Sequence, residues 1–252
     1  MKRLIKSAFR HVGLEVVRSE NLSNLHGHLR DLLADLRVDC VIDVGANEGQ
    51  FARSLRDHGF RGYILSFEPV PAMAPRLASE LGRDPLWRHL PLALGDQDGR
   101  LTLHVPRRSL FASALPASEY GRTAFQDRPF DTLVEEVVPV RRLDSLFAQL
   151  RDELGFERPF LKLDTQGYDL HVLRGAQGSL ESICGLLTEM SLRPLYEGMP
   201  DIADSLEAVR TAGFEITGLF PVVRDASGAL IEVDCVARRP FHTRDRPANF
   251  PP

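Results

Sequence analysis

Asp43, Glu68, the stretch Ala93 to Asp96, Asp164 and Glu189 each end or follow a short apolar run of the kind that forms a buried strand. A carboxylate in such a place costs free energy unless something uses it. It can accept hydrogen bonds from hydroxyls, take a proton from one, or face a cation. The first of these acids leads into a glycine-bearing turn, Val41-Ile-Asp-Val-Gly-Ala-Asn-Glu-Gly49. Glycines let a ligand approach the backbone closely. A dinucleotide loop would read G-x-G-x-x-G, with helix amides on a pyrophosphate. Here the spacing is G-x-x-x-G from Gly45 to Gly49, and Asn47 holds the middle position.

Asp43 and Glu48 bracket that loop, and two carboxylates would repel a pyrophosphate. They suit a ligand with an ammonium or sulfonium group and no phosphate, and S-adenosylmethionine is such a ligand. Glu68 lies 23 residues past Gly45. That is the distance at which a strand-end acid accepts hydrogen bonds from ribose hydroxyls.

The elements that must hold these residues follow from periodicity. Leu25, Leu29, Leu32, Leu33 and Leu36 predict a helix capped by Ser23 or Asn24. Cys40 to Val44 predicts a buried strand. Asn47 and Gln50 resemble a capping box for the next helix. Tyr63 to Phe67 is a second strand, and Pro75 opens a short helix through Leu77 and Leu81. Arg88 to Leu94 is a third strand, with Leu101 to Val105 as its hairpin partner across the turn Gly95 to Gly99. Strand character returns from Val137 to Leu143, and Asp144 can cap a helix through Leu150. Phe160 to Asp164 and Gly185 to Met190 are further core strands. The helix between them is marked by Leu170, Leu173, Ala176 and Leu180. Ile202, Leu206 and Val209 mark another helix, and Phe214 to Phe220 and Leu230 to Val236 close the sheet. Alternating strands and helices make an α/β, mostly parallel sheet with helices on both faces. Ligands of such sheets bind outside the carboxyl ends of the strands.

The expected organisation is an N-terminal helical arm (1–37), a domain (38–238) with an irregular lid (106–136), and a disordered tail (239–252). The lid segment has no clean period and mixes arginines with Phe111, Tyr120, Phe125 and Phe130, as acceptor-binding loops do. Arg107 and Arg108 at its start either form a solvated edge or meet an anionic acceptor.

Composition sets outer limits. The chain has 252 residues, 43% hydrophobic and 26% charged, with a formal net charge of -4. Those values exclude wholesale disorder and do not indicate nucleic-acid affinity. No apolar run reaches the ~18–20 residues of a membrane span. Met1 to Arg18 differs: Lys2, Arg3, Lys6, Arg10 and Arg18 face Glu15 alone. A basic amphipathic arm on an acidic body either touches a membrane surface or packs on its own domain. It lacks the continuous apolar region of a signal peptide. Cys40, Cys184 and Cys235 form no Cys-x-x-Cys and read as buried free thiols of a cytoplasmic protein, with no zinc site.

Four stretches resemble the FkbM family of S-adenosylmethionine-dependent methyltransferases: Val41-Ile-Asp-Val-Gly-Ala-Asn-Glu-Gly-Gln-Phe51, Phe67-Glu-Pro69, Arg142-Leu-Asp-Ser-Leu146, and Leu161-Lys-Leu-Asp-Thr-Gln-Gly-Tyr-Asp169 continuing to Leu173-Arg-Gly-Ala176. The resemblance implies a class I methyltransferase-like Rossmann sheet with a C-terminal antiparallel strand. It also implies methylation of a hydroxyl, often on a sugar, glycan or natural product. Carried over residue by residue, Asp43, Gly45, Asn47 and Gly49 shape the cofactor loop and Glu68 holds the ribose. Ala93, Leu94 and Asp96 contact the adenine. Asp164 faces the acceptor with Gln166, Tyr168 and Glu189 around it. Many members carry D-x-E-G where this chain has Asp164-Thr-Gln166-Gly167.

Asp164 is the first candidate base, and His171, two helical turns on, is expected to point away. Asp164 with Glu189 could instead hold Mg²⁺, and Asp164 could merely cap the helix near Tyr168. His26 and His28 fall on different helix faces and form no metal pair. Two other functions stay open at this stage. One is a non-catalytic S-adenosylmethionine-binding protein. The other is a nicotinamide-dependent oxidoreductase, against which the loop acids argue.

Overall fold

The computed structural model describes residues 24–82, 84–107, 109–124 and 130–240. Most of the expected N-terminal arm, Arg108, Phe125 and nearly all of the expected tail lie outside these residues. Helix α1 is Leu25–Asp35, and its cap is Asn24, whose side chain accepts from the Gly27 amide at 2.7 Å. Strand β1 is Cys40–Val44 and helix α2 is Gln50–Asp57. Strand β2 is Tyr63–Phe67, helix α3 Ala74–Leu81 and strand β3 Trp87–Leu90. Three strands follow that form a small sheet of their own, β4 (Ala93–Leu94), β5 (Gly99–Pro106) and β6 (Thr132–Arg141), with the short helix α4 (Glu119–Thr123) between the last two. Helix α5 (Phe147–Leu154), strand β7 (Pro159–Leu163), helix α6 (Asp169–Gly175) and strand β8 (Gly185–Ser191) return to the main sheet. Helix α7 (Ile202–Thr211) and strands β9 (Glu215–Arg224) and β10 (Leu230–Arg238) complete the fold.

The main sheet has seven strands in the order β3-β2-β1-β7-β8-β10-β9. The first five run parallel, and β10 lies antiparallel between β8 and β9. This is the class I methyltransferase-like architecture that the sequence leads one to expect. Every residue of β1 and β7 is buried, which is why both read as unbroken apolar runs. Alternation splits β1 between two cores. Cys40, Ile42 and Val44 face the layer of α5, α6 and α7, whereas Val41 faces that of α1, α2 and α3. The second half of the expected arm is therefore part of the domain, since Leu29, Leu32, Leu33 and Leu36 are buried against the sheet.

Several expectations are corrected. The expected third strand divides after Leu90, and Ala93–Leu94 leaves the main sheet to pair with β6. Leu101 to Val105 pairs not with it but with β6, because β6 inserts between β4 and β5 in the small sheet. The expected irregular segment 106–136 contains α4 and ends inside β6, so Thr132 to Glu136 is strand. Phe130 is also buried, packed with Phe111, Leu195 and Tyr196. Arg239, first residue of the expected tail, is held by donating to the carbonyls of Leu180 and Ile183.

Candidate active site

The parallel strands deliver Gly45, Glu68 and Asp164 to one end of the sheet, where they line an open cleft. Its walls are apolar, from Phe67, Leu94, Leu101, Leu103, Ala112 and Ala114, with polar groups at Asn47, Ser109, Ser113 and Gln166. A few convergent polar groups in an apolar concavity are the usual make-up of a ligand site.

On the β1–β2 side the backbone itself is the scaffold. Gly45 has φ 76°, a left-handed conformation open to glycine. A Cβ there would also land on the Asp164 carbonyl oxygen, so the β1 turn lies directly on the β7 turn. Glu68 is 5% exposed. Its Oε2 accepts from the Asn47 amide at 2.7 Å and its Oε1 from the Val70 amide at 2.8 Å. Burial pushes its carboxyl up to about 7, although those two amides and Lys162 pull it down. Asn47 reaches this contact in a left-handed conformation of its own, φ 47°. The expected capping box does not form, since the cap of α2 is Gly49 and the Asn47 Oδ1 accepts from the neighbouring Glu48 amide.

Asp43 does not reach the cleft. It is 0% exposed and sits beside Ser66 on one neighbouring strand and Lys162 on the other. Lys162 Nζ lies 2.8 Å from Asp43 Oδ1, and the Ser66 hydroxyl donates to Oδ2 at 3.1 Å. The row extends to Trp87, whose Nε1 donates to Ser66 Oγ at 2.9 Å. Lys162 also donates to the Gly45 carbonyl at 3.0 Å and lies 3.6 Å from Asp164 Oδ2. Burial works against the Lys162 charge, but Asp43 and Asp164 carry its pKa above the ordinary value. Glu48 is paired with Arg76. Both acids that bracket the loop are thus neutralised by cations, and the repulsion expected from them does not operate. Lys162 is the functional residue that the sequence reading leaves unassigned. A lysine inside Phe-Leu-Lys-Leu-Asp is a signal, because a buried charge must be paired, but its partner is over a hundred residues away.

On the β7–β8 side carboxylates crowd together. Asp164 leaves the end of β7 with its side chain 38% exposed and lines the cleft. It caps no helix: the cap position of α6 is Tyr168, which makes no side-chain capping bond, and Asp169 at the start of the helix accepts from the Thr165 amide, the Thr165 hydroxyl and Thr188 Oγ1. The Gln166 Nε2 donates to Asp164 Oδ1 at 3.1 Å and to Glu189 Oε2 at 3.2 Å. The Tyr196 hydroxyl donates to Gln166 Oε1 at 2.8 Å, and Ser113 Oγ to the Gln166 carbonyl at 2.7 Å. Gln166 therefore joins β7, β8, the segment after β8 and the small-sheet side of the cleft. Tyr196 is a second residue missing from the sequence reading, since it belongs to no periodic element.

Glu189 stands behind Gln166 and does not line the cleft. Burial, then Glu232 and Asp164, push its carboxyl well above the usual range. Burial likewise lifts Glu232 and Asp234 to about 7. The Gln166 amide occupies the space between Asp164 and Glu189 that a Mg²⁺ ion would need. Among the described residues no group of three or more His, Cys, Asp or Glu side chains is arranged to hold a metal.

The remaining expected positions divide. Ala93 and Leu94 line the cleft beside Tyr168. Tyr168 stacks on His171 with ring centroids 4.1 Å apart, and burial followed by Asp96 raises its hydroxyl pKa. Asp96 accepts instead from His171 at 2.7 Å and does not line the cleft. His171 thus packs beside the site on Asp96 and Tyr168. Gly49 is packed under Trp87 and shapes the loop from behind. Arg107 is exposed and does not line the cleft, and Arg108 lies outside the described residues. Asp144 does not cap α5 but accepts from the Gly178 and Ser179 amides. Gly175, in the Leu173-Arg-Gly-Ala176 stretch, lets α6 lie against the Gly95 carbonyl, where a Cβ would have no room.

The sequence profile of the FkbM methyltransferase domain matches residues 43–216, more than half of the chain. The chain is 27% identical over 188 residues to the 2-O-methyltransferase NoeI of Sinorhizobium fredii (strain NBRC 101917 / NGR234), covering 72% of this chain and 74% of that one. Among solved structures it is similar to TehB from Haemophilus influenzae (TM-score 0.45, 10% identity, 87% of this chain and 64% of that one). It is also similar to the Aeropyrum pernix fibrillarin with natively bound S-adenosyl-L-methionine (TM-score 0.42, 13% identity, 79% of this chain and 66% of that one). It spans just under two thirds of either structure. No helix among the described residues is long and apolar enough to cross a membrane.

Proposed function

The chain belongs to the FkbM family of S-adenosylmethionine-dependent methyltransferases, and we propose that it methylates a hydroxyl group of a sugar, glycan or related natural product. The carrying observation is the placement of Asp164: a half-exposed carboxylate at the end of β7, lining the cleft and held by Gln166. The similarity to the 2-O-methyltransferase NoeI supports oxygen as the acceptor atom.

The residues present fit the cofactor. Glu68 offers a buried carboxylate whose oxygens are each fixed by one backbone amide and keep further lone pairs for a ribose diol. Phe67, Leu94, Leu101 and Leu103 supply apolar wall for a flat base. S-adenosylmethionine, when bound, supplies a methyl group already activated by its sulfonium. What remains for the chain is to align the acceptor oxygen, worth ~7–11 kcal/mol of barrier, and to remove its proton. Asp164 takes that proton as the new carbon–oxygen bond forms, a contribution of roughly 10²–10⁴-fold. Gln166 and Tyr196 hold the Asp164 carboxylate in place. Segment 109–114 covers the cleft and would order further around a bound acceptor.

Two measurements test the reading. Calorimetry should give micromolar binding of S-adenosylhomocysteine and no comparable binding of NAD. Incubation with S-adenosylmethionine and a panel of neutral sugars and glycans should yield S-adenosylhomocysteine and a product heavier by one methylene group. Binding without transfer to any hydroxyl would overturn the catalytic reading, and tighter binding of NAD would overturn the cofactor reading.

A further inference from the structure

Lys162 stands behind the cleft on the all-buried strand β7, with its side chain 6% exposed. A charge in such a place has to be held by partners. Its ammonium lies 2.8 Å from Asp43 Oδ1 and donates to the carbonyls of Gly45 at 3.0 Å and Val44 at 3.4 Å. It also lies 5.3 Å from the centre of the Phe51 ring, on α2. An ammonium has three N–H groups, and the three oxygens at the end of β1 are enough to engage them. Asp164 Oδ2, at 3.6 Å, is beyond hydrogen-bond distance. Lys162 therefore faces Oδ2 as a fixed charge and occupies none of its lone pairs.

That charge stands against several acids. Asp169 on α6, Glu189 on β8, and Glu232 and Asp234 on β10 all interact electrostatically with Asp164, and the Tyr196 hydroxyl faces it from the segment after β8. A carboxylate among like charges is driven to take up a proton, and a carboxyl that already carries one accepts no other. Among the described residues Lys162 is the only cation within ion-pair distance of Asp164. Neutralising Asp43 does not by itself require this approach to Oδ2.

We propose that Lys162 is a positioning residue for the proton transfer assigned to Asp164. Anchored by Asp43 and the β1 turn, it keeps the Asp164 carboxylate charged and leaves Oδ2 open to the acceptor hydroxyl, while Gln166 holds Oδ1 from the other side. Lys162 does not take the proton itself. Burial works against its charge, but Asp43 and Asp164 maintain it. The proposal rests on the reading of Asp164 as the base.

The test is made on the full chain. Lys162→Met with Asp43→Asn removes both members of the buried pair, so neither charge is left unpaired. Lys162→Gln with Asp43→Asn is the second variant and puts amides in their place. Cooperative thermal unfolding shows each variant folded. The readout is a carbon-13 titration of aspartate-labelled protein, with the Asp164 carboxyl signal assigned by its loss in Asp164→Asn. In the folded double variants that signal should titrate about 1 pH unit or more above its wild-type position. The acidic limb of S-adenosylhomocysteine formation, measured with S-adenosylmethionine and the same neutral sugars and glycans, should move in the same direction. An unmoved Asp164 titration in a folded variant would overturn the proposal. So would a fall in turnover with the acidic limb unmoved, the result for a lysine that only neutralises Asp43. Loss of cooperative unfolding in both variants would overturn it in favour of a lysine needed by the fold alone. Wild-type product formation by Asp164→Asn would overturn the base reading itself, and the proposal with it, whatever the titration shows.

Discussion

At the ends of β1 and β2, Asp43 has Lys162, Glu48 has Arg76 and Glu68 has two backbone amides. At the ends of β7 and β8 and the start of β10, Glu189, Glu232 and Asp234 have one another and a few neutral donors, chiefly Gln166 and Ser191. Under the proposed function, the contrast would separate binding from proton handling. Paired charges give a fixed electrostatic surface against which a cofactor can be held with little reorganisation. Loss of water and crowding raise the carboxyl pKa values of Glu189, Glu232 and Asp234 above the usual range, and Asp164 stands beside them with its side chain open to the cleft. Lys162 joins the halves, reaching Asp43, the Gly45 carbonyl and Asp164.

The largest expected effect attacks the point where the two halves touch. Gly45→Ala puts a Cβ on the Asp164 carbonyl oxygen at a positive φ, and should destabilise the protein by on the order of 3 kcal/mol. Thermal unfolding reads this. A wild-type melting temperature would mean that the two turns are not in contact.

The crowded half makes a prediction with a definite sign. Burial lifts Glu232 from 4.5 to about 7 in the folded protein. The folded state therefore holds a proton that the unfolded state releases from about pH 4.5 upward. The stability linked to that proton is complete below pH 4.5 and is lost as pH rises through about 7. Glu232→Gln should raise stability by roughly 2 kcal/mol at pH 8 and leave it unchanged near pH 4.5. Denaturant titrations at both values decide it. Destabilisation at pH 8 would mean that the carboxylate is paired by something other than Ser191.

Gln166 gives a smaller, more specific effect. Gln166→Leu removes one donor from Asp164 and one from Glu189 at similar volume, and should lower turnover on the order of tenfold with cofactor affinity unchanged. Gln166→Glu, the form common in D-x-E-G relatives, adds a carboxylate between two others and should retain activity only towards lower pH, where it is protonated. A flat pH profile for that variant would argue that Gln166 does not position the acid.

What could be read from the sequence follows the range of the interactions. Strands such as Cys40 to Val44 and Phe160 to Leu163 are legible because burial on both faces writes itself into consecutive residues. Glu68 is legible because the chain length from glycine turn to second strand end is set by one helix. Lys162 with Asp43, and Gln166 with Tyr196 and Ser113, are contacts across the sheet that no local period encodes. The pairing of β5 with β6 is missed for the same reason, since a long segment without periodicity intervenes. Asn47 misleads because its composition suits a helix cap, whereas the loop turns it so that its amide serves Glu68.

The division of the cleft is tested most directly by taking Glu68→Ala and Asp164→Asn side by side, with S-adenosylhomocysteine affinity from calorimetry and turnover at saturating S-adenosylmethionine. Asparagine keeps the shape of aspartate but takes no proton at neutral pH. The expected pattern is crossed. Glu68→Ala should weaken binding by ~1.5–3 kcal/mol, and Asp164→Asn should bind within a few-fold of wild type while turnover falls by ~10²-fold or more. Near-wild-type turnover by Asp164→Asn, or an unchanged affinity in folded Glu68→Ala, would contradict it.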